Sequence, residues 1–184
     1  MDLSALPRDL PIPKDDGKAN HLLDLTIPKI SLPNQDGNFL SLNRSDTFRL
    51  VVYFFPMTGN PNKPLPKNWN SIPGAKGCTP QTCTFRDNYE KFTTLNAIPV
   101  GISTQTIEDL KEMTRRLNVN YDVLSDYKLL LTNTLQLPVF KINEKIFIKR
   151  LTIILDQSKI KKFFYPVFPP HLHYKEVIKW LEEN

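Results

Sequence analysis

The only two cysteines of the chain, Cys78 and Cys83, lie in the segment Gly77-Cys-Thr-Pro-Gln-Thr-Cys83. Thr79-Pro80 opens a helical stretch, because proline fits the first turn of a helix, where its missing N–H costs nothing. Cys78 is therefore predicted to lie at a helix N-terminus, where unpaired N–H groups and the helix dipole favour a thiolate. A thiolate is the nucleophilic form of cysteine. The segment predicts a redox pair, with two small buried hydrophobic residues as the alternative.

The spacing of the two cysteines limits how they can react. Four residues separate Cys78 from Cys83, whereas thioredoxin-like oxidoreductases place two residues between their cysteines. Five residues of α-helix rise about 7.5 Å and rotate about 140°, which puts the two Cα atoms roughly 8.5 Å apart. A disulfide requires Cα atoms within about 7 Å. We therefore predict that the first helical turn is wound when the pair is reduced and unwinds when it is oxidised.

Other chemistries have little support in the composition. Zinc sites need four ligands, and the histidines are His21, His171 and His173. We interpret His171 and His173 as ordinary exposed histidines, and we expect no metal and no cofactor. The net charge of +5 is scattered and no nucleic-acid-binding signature accompanies it, so no nucleic-acid partner is expected.

A membrane protein is not expected either. No run approaches 18 apolar residues, which a membrane-spanning helix would need. The N-terminus has acidic residues and prolines where a signal peptide has a basic start and an apolar stretch. We expect a cytoplasmic chain.

The pattern of apolar residues predicts the elements that must position the cysteines. The predicted strands cover residues 25–32, 39–42, 50–55, 98–103, 122–125, 151–155 and 160–165, with a further hairpin over 140–149. The predicted helices cover residues 79–95, 107–117, 128–135 and 174–182. The order, a β-hairpin, βαβαβ and then ββα, indicates an α/β fold built as a three-layer sandwich with an N-terminal β-hairpin. We expect an arm of residues 1–22 lying over one domain of residues 23–184.

Five segments resemble one protein family. The segment from Gly77 to Asp87 resembles the active site of the Q-type peroxiredoxins, also called the bacterioferritin-comigratory-protein type, which carry the pattern G-C-T-x-x-x-C-x-x-R-D. Four further segments are similar to that family in the same order: Val51–Pro56, Val100–Ser103, Val123–Asp126 and Arg150–Asp156. The resemblance runs from about residue 22 to the end. It implies a thioredoxin-like fold, a three-layer α/β/α sandwich with the peroxiredoxin additions.

The resemblance also implies a reaction. Cys78 would be the peroxidatic cysteine, whose thiolate attacks a hydroperoxide and becomes a sulfenic acid. Cys83 would be the resolving cysteine, which condenses with the sulfenic acid to an intramolecular disulfide. Thioredoxin or a glutaredoxin would restore both thiols. Arg150 matches the family's active-site arginine, whose charge would hold the thiolate and the peroxide, although a surface strand residue is the alternative. The resemblance also implies a monomer. We expect Arg86 to form a structural ion pair with Asp87 or another acidic residue.

One position departs from the family pattern. Peroxiredoxins carry a threonine or serine three residues before the peroxidatic cysteine, and here that position is Ala75. Residues 57–72 resemble an insertion in the long, proline-rich loop over 56–77. The missing hydroxyl is expected from Thr58, beside the end of a strand, or from Ser71. Without it, activation would rest on Arg150 and backbone N–H groups.

The insertion also adds apolar side chains beside the predicted thiol. These side chains are Met57, Leu65, Trp69 and Ile72. They would form a pocket for bulky organic hydroperoxides, or they would only anchor the loop.

Two functions compete with a peroxidase. A redox sensor on the same fold would report oxidation of the Cys78–Cys83 pair to a partner and would not turn over. A disulfide oxidoreductase acting on proteins is disfavoured by the cysteine spacing. The peroxidase assignment depends on a Cys78 sulfur that is ionised and open to solvent.

Overall fold

The computed structural model of the chain describes residues 10–44 and 47–184. Its strands are β1 (Ser31–Pro33), β2 (Phe39–Ser41), β3 (Arg49–Phe54), β4 (Ala97–Ser103), β5 (Val123–Ser125), β6 (Val139–Ile142), β7 (Lys145–Ile148), β8 (Leu151–Asp156) and β9 (Lys159–Phe164). Its α-helices are α1 (Cys78–Asp87), α2 (Tyr89–Thr94), α3 (Ile107–Arg116), α4 (Leu130–Thr134) and α5 (His173–Glu183). None of these helices is long and apolar enough to cross a membrane.

A five-stranded mixed sheet lies at the centre, in the order β5-β4-β3-β8-β9. Strand β3 pairs in parallel with β4 and antiparallel with β8, so it is the middle strand. Its residues Leu50–Phe54 are all buried, as expected for a continuous apolar strand covered on both faces.

Alternate residues of β3 enter two different cores, because successive side chains of a strand point to opposite faces. Val51 and Tyr53 pack with residues of α1, α2, α3 and α5. Leu50 and Val52 pack with residues of α4, the β1–β2 hairpin and the segment before it. The predicted three-layer α/β arrangement is confirmed.

The N-terminal hairpin is present but shorter than predicted. Strand β1 begins at Ser31, and in the predicted strand 25–32 only Thr26 makes a further isolated bridge, to Lys159. Asn34 Oδ1 accepts the backbone N–H groups of Asp36 and Asn38, which closes the turn into β2. The pairing of β1 with β2 is thus confined to the residues next to this turn.

The predicted arm is described from residue 10 onward, and residues 1–9 lie outside the described residues. Ala19 and Leu22 are fully buried in the core, within and beside a short 3-10 turn at Asn20–Leu22. The described part of the arm is therefore packed against the domain through apolar side chains.

The single helix predicted over 79–95 is two helices that meet at Asn88. The backbone N–H and the side-chain amide of Asn88 both donate to the Thr84 carbonyl near the end of α1. Phe85 of α1 and Phe92 of α2 still stack at 5.3 Å between ring centroids, so both helices present their apolar face to the same core. The break leaves α1 as a ten-residue helix that contains both cysteines.

The predicted insertion over 57–72 contains one short 3-10 turn, Trp69–Ser71. The Trp69 ring lies 5.9 Å from the Phe140 ring and 5.2 Å from the Phe147 ring, between centroids. Both phenylalanines belong to the β6–β7 hairpin, which the sequence predicted. Trp69, Ala75 and Phe147 form a small buried cluster, so the insertion has a core of its own.

Candidate active site

Cys78 is the first residue of α1, as the Thr79-Pro80 signal predicted. Gly77 precedes it with a φ of 108°, a left-handed conformation that favours glycine. This turn ends the loop and places the Cys78 sulfur at the helix N-terminus, where backbone N–H groups point out of the helix.

The Arg150 side chain contacts Cys78 at the N-terminus of α1. Arg150 precedes β8 directly and is only 3% exposed, so the alternative of a surface strand residue is wrong. Its Nη2 lies 3.1 Å from Cys78 Sγ. The same nitrogen lies within hydrogen-bond distance of three backbone carbonyls in the loop before the cysteine, those of Gly74, Ala75 and Lys76. The guanidinium therefore joins the sulfur to the loop that presents it.

The expectation that Cys78 is open to solvent is wrong for this conformation. The residue is 2% exposed, and its thiol donates to the Ala75 carbonyl at 3.6 Å. The sulfur is nevertheless not in wholly apolar surroundings, because the Arg150 guanidinium contacts it. The site thus places a charged donor against the sulfur, and burial strengthens this contact by excluding water.

Gln81 is a site residue that the sequence reasoning missed. Its Oε1 accepts a hydrogen bond from Arg150 Nη1. Gln81 lies three residues after Cys78 and so shares a helix face with it, which was the signal available in the sequence. Gln81 Nε2 and Arg150 Nε are buried and have no hydrogen-bond partner among the described residues. Both residues that surround the guanidinium–sulfur contact thus keep a donor without a partner in the described part of the chain.

Cys83 lies one and a half turns further along α1, and both cysteines are free thiols. Burial raises the pKa of the Cys83 thiol, and the nearby positive charge of Arg86 only partly opposes this. Cys83 is therefore held as a thiol. Arg86 pairs with Asp87 at 2.7 Å, as predicted, and also donates to the Leu117 carbonyl.

The two residues expected to supply the missing hydroxyl have other partners. Thr58 is buried, and its backbone N–H and its hydroxyl both donate to Gln105 Oε1, at 2.9 and 3.2 Å. Ser71 is exposed and its hydroxyl donates to the Asn68 carbonyl. Among the described residues, no hydrogen bond joins either hydroxyl to Cys78, so the role given to Thr58 stays a prediction.

A cavity of about 450 Å³ reaches Arg150 from the protein surface. Its other lining residues come from the N-terminal segment, the end of the insertion, β6 and the residues after β9: Ile12, Pro13, Lys14, Asp16, Ile72, Pro73, Gly74, Phe140, Lys149, Tyr165 and Pro166. Of the four side chains predicted to form an apolar pocket, Ile72 lines this cavity. Met57 lines a different one, Leu65 is exposed and Trp69 is buried in its own cluster.

Asp16 connects the walls of this cavity. Its carboxylate pairs with Lys149 Nζ at 2.7 Å and accepts the Tyr165 hydroxyl at 2.7 Å. Partial burial favours a higher pKa for Asp16, but these two hydrogen bonds outweigh it and lower the pKa to about 2. The ionised carboxylate thus ties the N-terminal segment to Tyr165, just after β9, and to Lys149, the residue before Arg150.

The interpretation of His173 as an exposed histidine is wrong. His173 is 2% exposed, and its ring nitrogens lie 2.9 Å from Thr152 Oγ1 and 3.0 Å from Glu176 Oε2. Burial lowers the pKa of His173, although Glu176 opposes the shift. The sequence does not indicate this burial, because the partner Thr152 lies 21 positions earlier in the chain, on β8. His173 therefore fastens α5 to β8, the strand that follows Arg150.

Comparisons with known proteins show the family to which the chain belongs. A model of the AhpC/TSA family matches residues 70–163. Peroxiredoxin Q, chloroplastic, of Oryza sativa subsp. japonica is 30% identical over 156 residues, which are 84% of this chain and 64% of the rice protein. The chain thus spans less than two thirds of that relative. Peroxiredoxin Bcp of Escherichia coli K12 is 29% identical over 164 residues, covering 85% of this chain and 93% of the relative.

A solved structure shows the same fold. Peroxidoxin BcpB from Mycobacterium tuberculosis superposes with a TM-score of 0.72 at 22% identity, covering 88% of this chain and 96% of that one. The predicted thioredoxin-like α/β/α fold with peroxiredoxin additions is therefore confirmed.

Proposed function

We propose that this chain, which belongs to the AhpC/TSA family and to its peroxiredoxin Q branch, is a thiol-dependent peroxidase that reduces hydroperoxides at Cys78. One observation supports this most directly: the buried Arg150 guanidinium lies 3.1 Å from Cys78 Sγ at a helix N-terminus. This arrangement favours a nucleophilic sulfur and offers positive charge where an oxygen anion develops.

In the first step the Cys78 thiolate attacks the terminal oxygen of the hydroperoxide. The O–O bond breaks, an S–O bond forms, and the leaving oxygen takes up a proton and departs as water or an alcohol. Sulfur is oxidised to a sulfenic acid and the peroxide is reduced. Arg150 stabilises the leaving oxygen, and Gln81, which accepts from Arg150, keeps the guanidinium facing the sulfur.

In the second step Cys83 resolves the sulfenic acid. Its sulfur attacks Cys78, an S–S bond forms, and the sulfenic oxygen leaves as water with the Cys83 proton. Both residues lie on α1 with their Cα atoms too far apart for a disulfide by helix geometry, so the first turn must unwind. An external dithiol then restores both thiols by exchange, and we propose thioredoxin or a glutaredoxin for this role.

The cavity beside Arg150 supports organic hydroperoxides as substrates in addition to hydrogen peroxide. It is large enough for an organic group, and apolar residues such as Ile72, Phe140 and Pro166 line it. An alkyl or aryl group in the cavity would lie beside Arg150, whose guanidinium contacts the Cys78 sulfur.

We propose that the protein is a monomer in the cytoplasm and works without a cofactor. A monomer suffices because both cysteines lie on one helix. Two free thiols fit a reducing compartment, and we propose the cytoplasm. No cofactor is required, because sulfur supplies both electrons.

A redox sensor is the second candidate, because Ala75 stands where the family pattern has a hydroxyl. Turnover separates the two functions. With a recycled dithiol, a peroxidase consumes many equivalents of peroxide, whereas a sensor stops after one.

The decisive experiment is a count of free thiols before and after one equivalent of hydrogen peroxide. We expect the parent to lose two thiols and Cys83→Ser to lose one, at Cys78. The control Cys78→Ser should keep its remaining thiol. Retention of both thiols by the parent would refute the peroxidase and the sensor together.

A further inference from the structure

Three buried hydroxyls hold the middle of α1, and we refer to Tyr53, Thr82 and Tyr121 as the hydroxyl latch. The Tyr53 hydroxyl on β3 lies 3.2 Å from Thr82 Oγ1 and 2.9 Å from the Tyr121 hydroxyl, and its single proton serves one of these two contacts at a time. Tyr121 donates to the Thr82 backbone carbonyl at 3.0 Å. All three residues are buried.

We propose that the hydroxyl latch holds α1 in its wound form and thereby sets how fast Cys83 reaches an oxidised Cys78. The proposal rests on the peroxidase function and assigns Tyr53, Thr82 and Tyr121 as positioning residues for its resolving step.

Thr82 lies between the two cysteines on α1. Thr82 directly precedes Cys83 and directly follows the first turn of α1, so it is the residue at which the unwinding that lets the two sulfurs bond either stops or continues. The latch ties this residue to the central sheet through Tyr53 and to the segment before β5 through Tyr121. Unwinding the helix as far as Thr82 therefore breaks hydrogen bonds that are shielded from water.

The space for the Tyr53 hydroxyl is built by the neighbouring strand. Tyr53 pairs with Gly101 of β4, and a Cβ at position 101 would lie 2.8 Å from the Tyr53 oxygen. Any larger residue would therefore clash with the hydroxyl end of the Tyr53 ring. Glycine at this position is thus what lets the hydroxyl approach the helix.

The latch works through neutral hydroxyls. Burial raises the pKa of both Tyr53 and Tyr121 far above the ordinary tyrosine value. The two tyrosines therefore act only as hydrogen-bond partners. Leaving one of these buried groups without its partner costs more than the hydrogen bond itself contributes.

The latch decides between two fates of the Cys78 sulfenic acid. Condensation with the Cys83 thiol forms the disulfide and releases water. Attack on a second hydroperoxide instead breaks another O–O bond, releases water or an alcohol, and gives a sulfinic acid. A tighter latch slows disulfide formation, so a larger fraction of Cys78 is converted to the sulfinic acid.

The test compares Tyr121→Phe and Tyr53→Phe with the control Tyr89→Phe. The Tyr89 ring stacks on Tyr121, but its hydroxyl makes no hydrogen bond within the described ranges 10–44 and 47–184. The peroxide dose that converts half of Cys78 to sulfinic acid is measured by mass spectrometry with dithiothreitol as reductant. We expect this dose to rise about tenfold in Tyr121→Phe and Tyr53→Phe, and to stay at the parent value in Tyr89→Phe.

A second readout needs no peroxide. In a Cys78→Ser background, alkylation of the buried Cys83 by iodoacetamide reports opening of α1. We expect it to be about tenfold faster with Tyr121→Phe and with Thr82→Val, and close to the parent rate with Thr82→Ser, which keeps the hydroxyl. Thr82→Val and Tyr121→Phe decide the matter if Tyr53→Phe does not fold.

Alkylation at the parent rate in Tyr121→Phe, or faster alkylation with an unchanged sulfinic acid dose, would overturn the proposal. A parent that loses no thiol to peroxide would instead refute the peroxidase function, while the alkylation rates would still decide whether the latch holds α1.

Discussion

Arg150 Nη2 lies 3.1 Å from Cys78 Sγ although the two residues are 72 positions apart in the chain. The sheet produces this meeting. Leu151, the first residue of β8, pairs with Phe54 at the end of β3, and β3 leads into the loop that ends at Cys78. The antiparallel pairing of these two strands therefore brings Arg150 to the end of the sheet where the cysteine lies.

Arg150→Gln should lower the second-order rate with hydrogen peroxide about 100-fold or more, because one charged donor to a developing oxygen anion has an effect of that size. Arg150→Lys should restore little, since a single ammonium cannot serve both Gln81 and the sulfur. Stopped-flow kinetics measure the rate. Lys161→Gln, which removes an exposed charge from β9, is the control, and an equal loss in both variants would contradict the assignment.

Thr58→Val tests the predicted hydroxyl. We expect the rate with hydrogen peroxide to fall about tenfold through the loss of one hydrogen bond to the peroxide, and Thr58→Ser to keep it. Ser71→Ala tests the other candidate in the same assay. A parent-like rate in Thr58→Val would leave Thr58 as the partner of Gln105 alone, with activation by Arg150 and backbone N–H groups.

Asp16→Asn tests whether the cavity beside Arg150 binds the organic part of a substrate. Without the carboxylate, Lys149 and Tyr165 lose their shared partner and the cavity walls loosen. We expect the KM for cumene hydroperoxide to rise about threefold to fivefold, the modest size of a partly exposed ion pair. The rate with hydrogen peroxide should not change. Asp36→Asn in the β1–β2 turn is the control, and equal effects on both peroxides would argue against the cavity.

Trp69→Ala should destabilise the protein by about 3–5 kcal/mol, because it removes a large buried ring that packs on Phe140 and Phe147. Urea unfolding measures the loss. Leu65→Ala, on the exposed part of the insertion, should change stability by no more than about 0.5 kcal/mol. Similar small losses in both variants would show that the insertion has no core.

His173 should make the folded chain sensitive to mild acid. Burial lowers its pKa below the ordinary value of 6.5, so the unfolded chain binds a proton near pH 6.5 that the folded chain does not. Well above pH 6.5, His173 therefore does not make the free energy of unfolding depend on pH. As the pH falls below about 6.5, this free energy decreases by at most about 1.4 kcal/mol per pH unit.

Urea unfolding at pH 7.5 and 5.5 measures this loss. The lowered pKa of Glu176, caused chiefly by its hydrogen bond to His173, acts below its ordinary value of 4.5 and so outside this range. His173→Gln should remove most of the difference between the two pH values, whereas His171→Gln should keep it. A full difference in His173→Gln would assign the acid sensitivity to other groups.

The sequence by itself determined the local features of the site. A glycine before Cys78 and a proline two residues after it start α1 at the cysteine, because capping and proline geometry depend only on adjacent residues. The apolar run before Pro56 likewise determined a central strand. The same local patterns determined the family resemblance, because its motifs are short and contiguous.

Only the tertiary structure decided what surrounds the sulfur. The burial of Cys78, the contact of Gln81 with Arg150 and the separate core of Trp69 all depend on strand order and on packing between distant segments. Alternation and helical periodicity predict which face of an element is apolar, but not which element covers it. Tyr53 and Tyr121 meet over Thr82 for that reason: the sheet and the segment before β5 bring together residues that no local pattern connects.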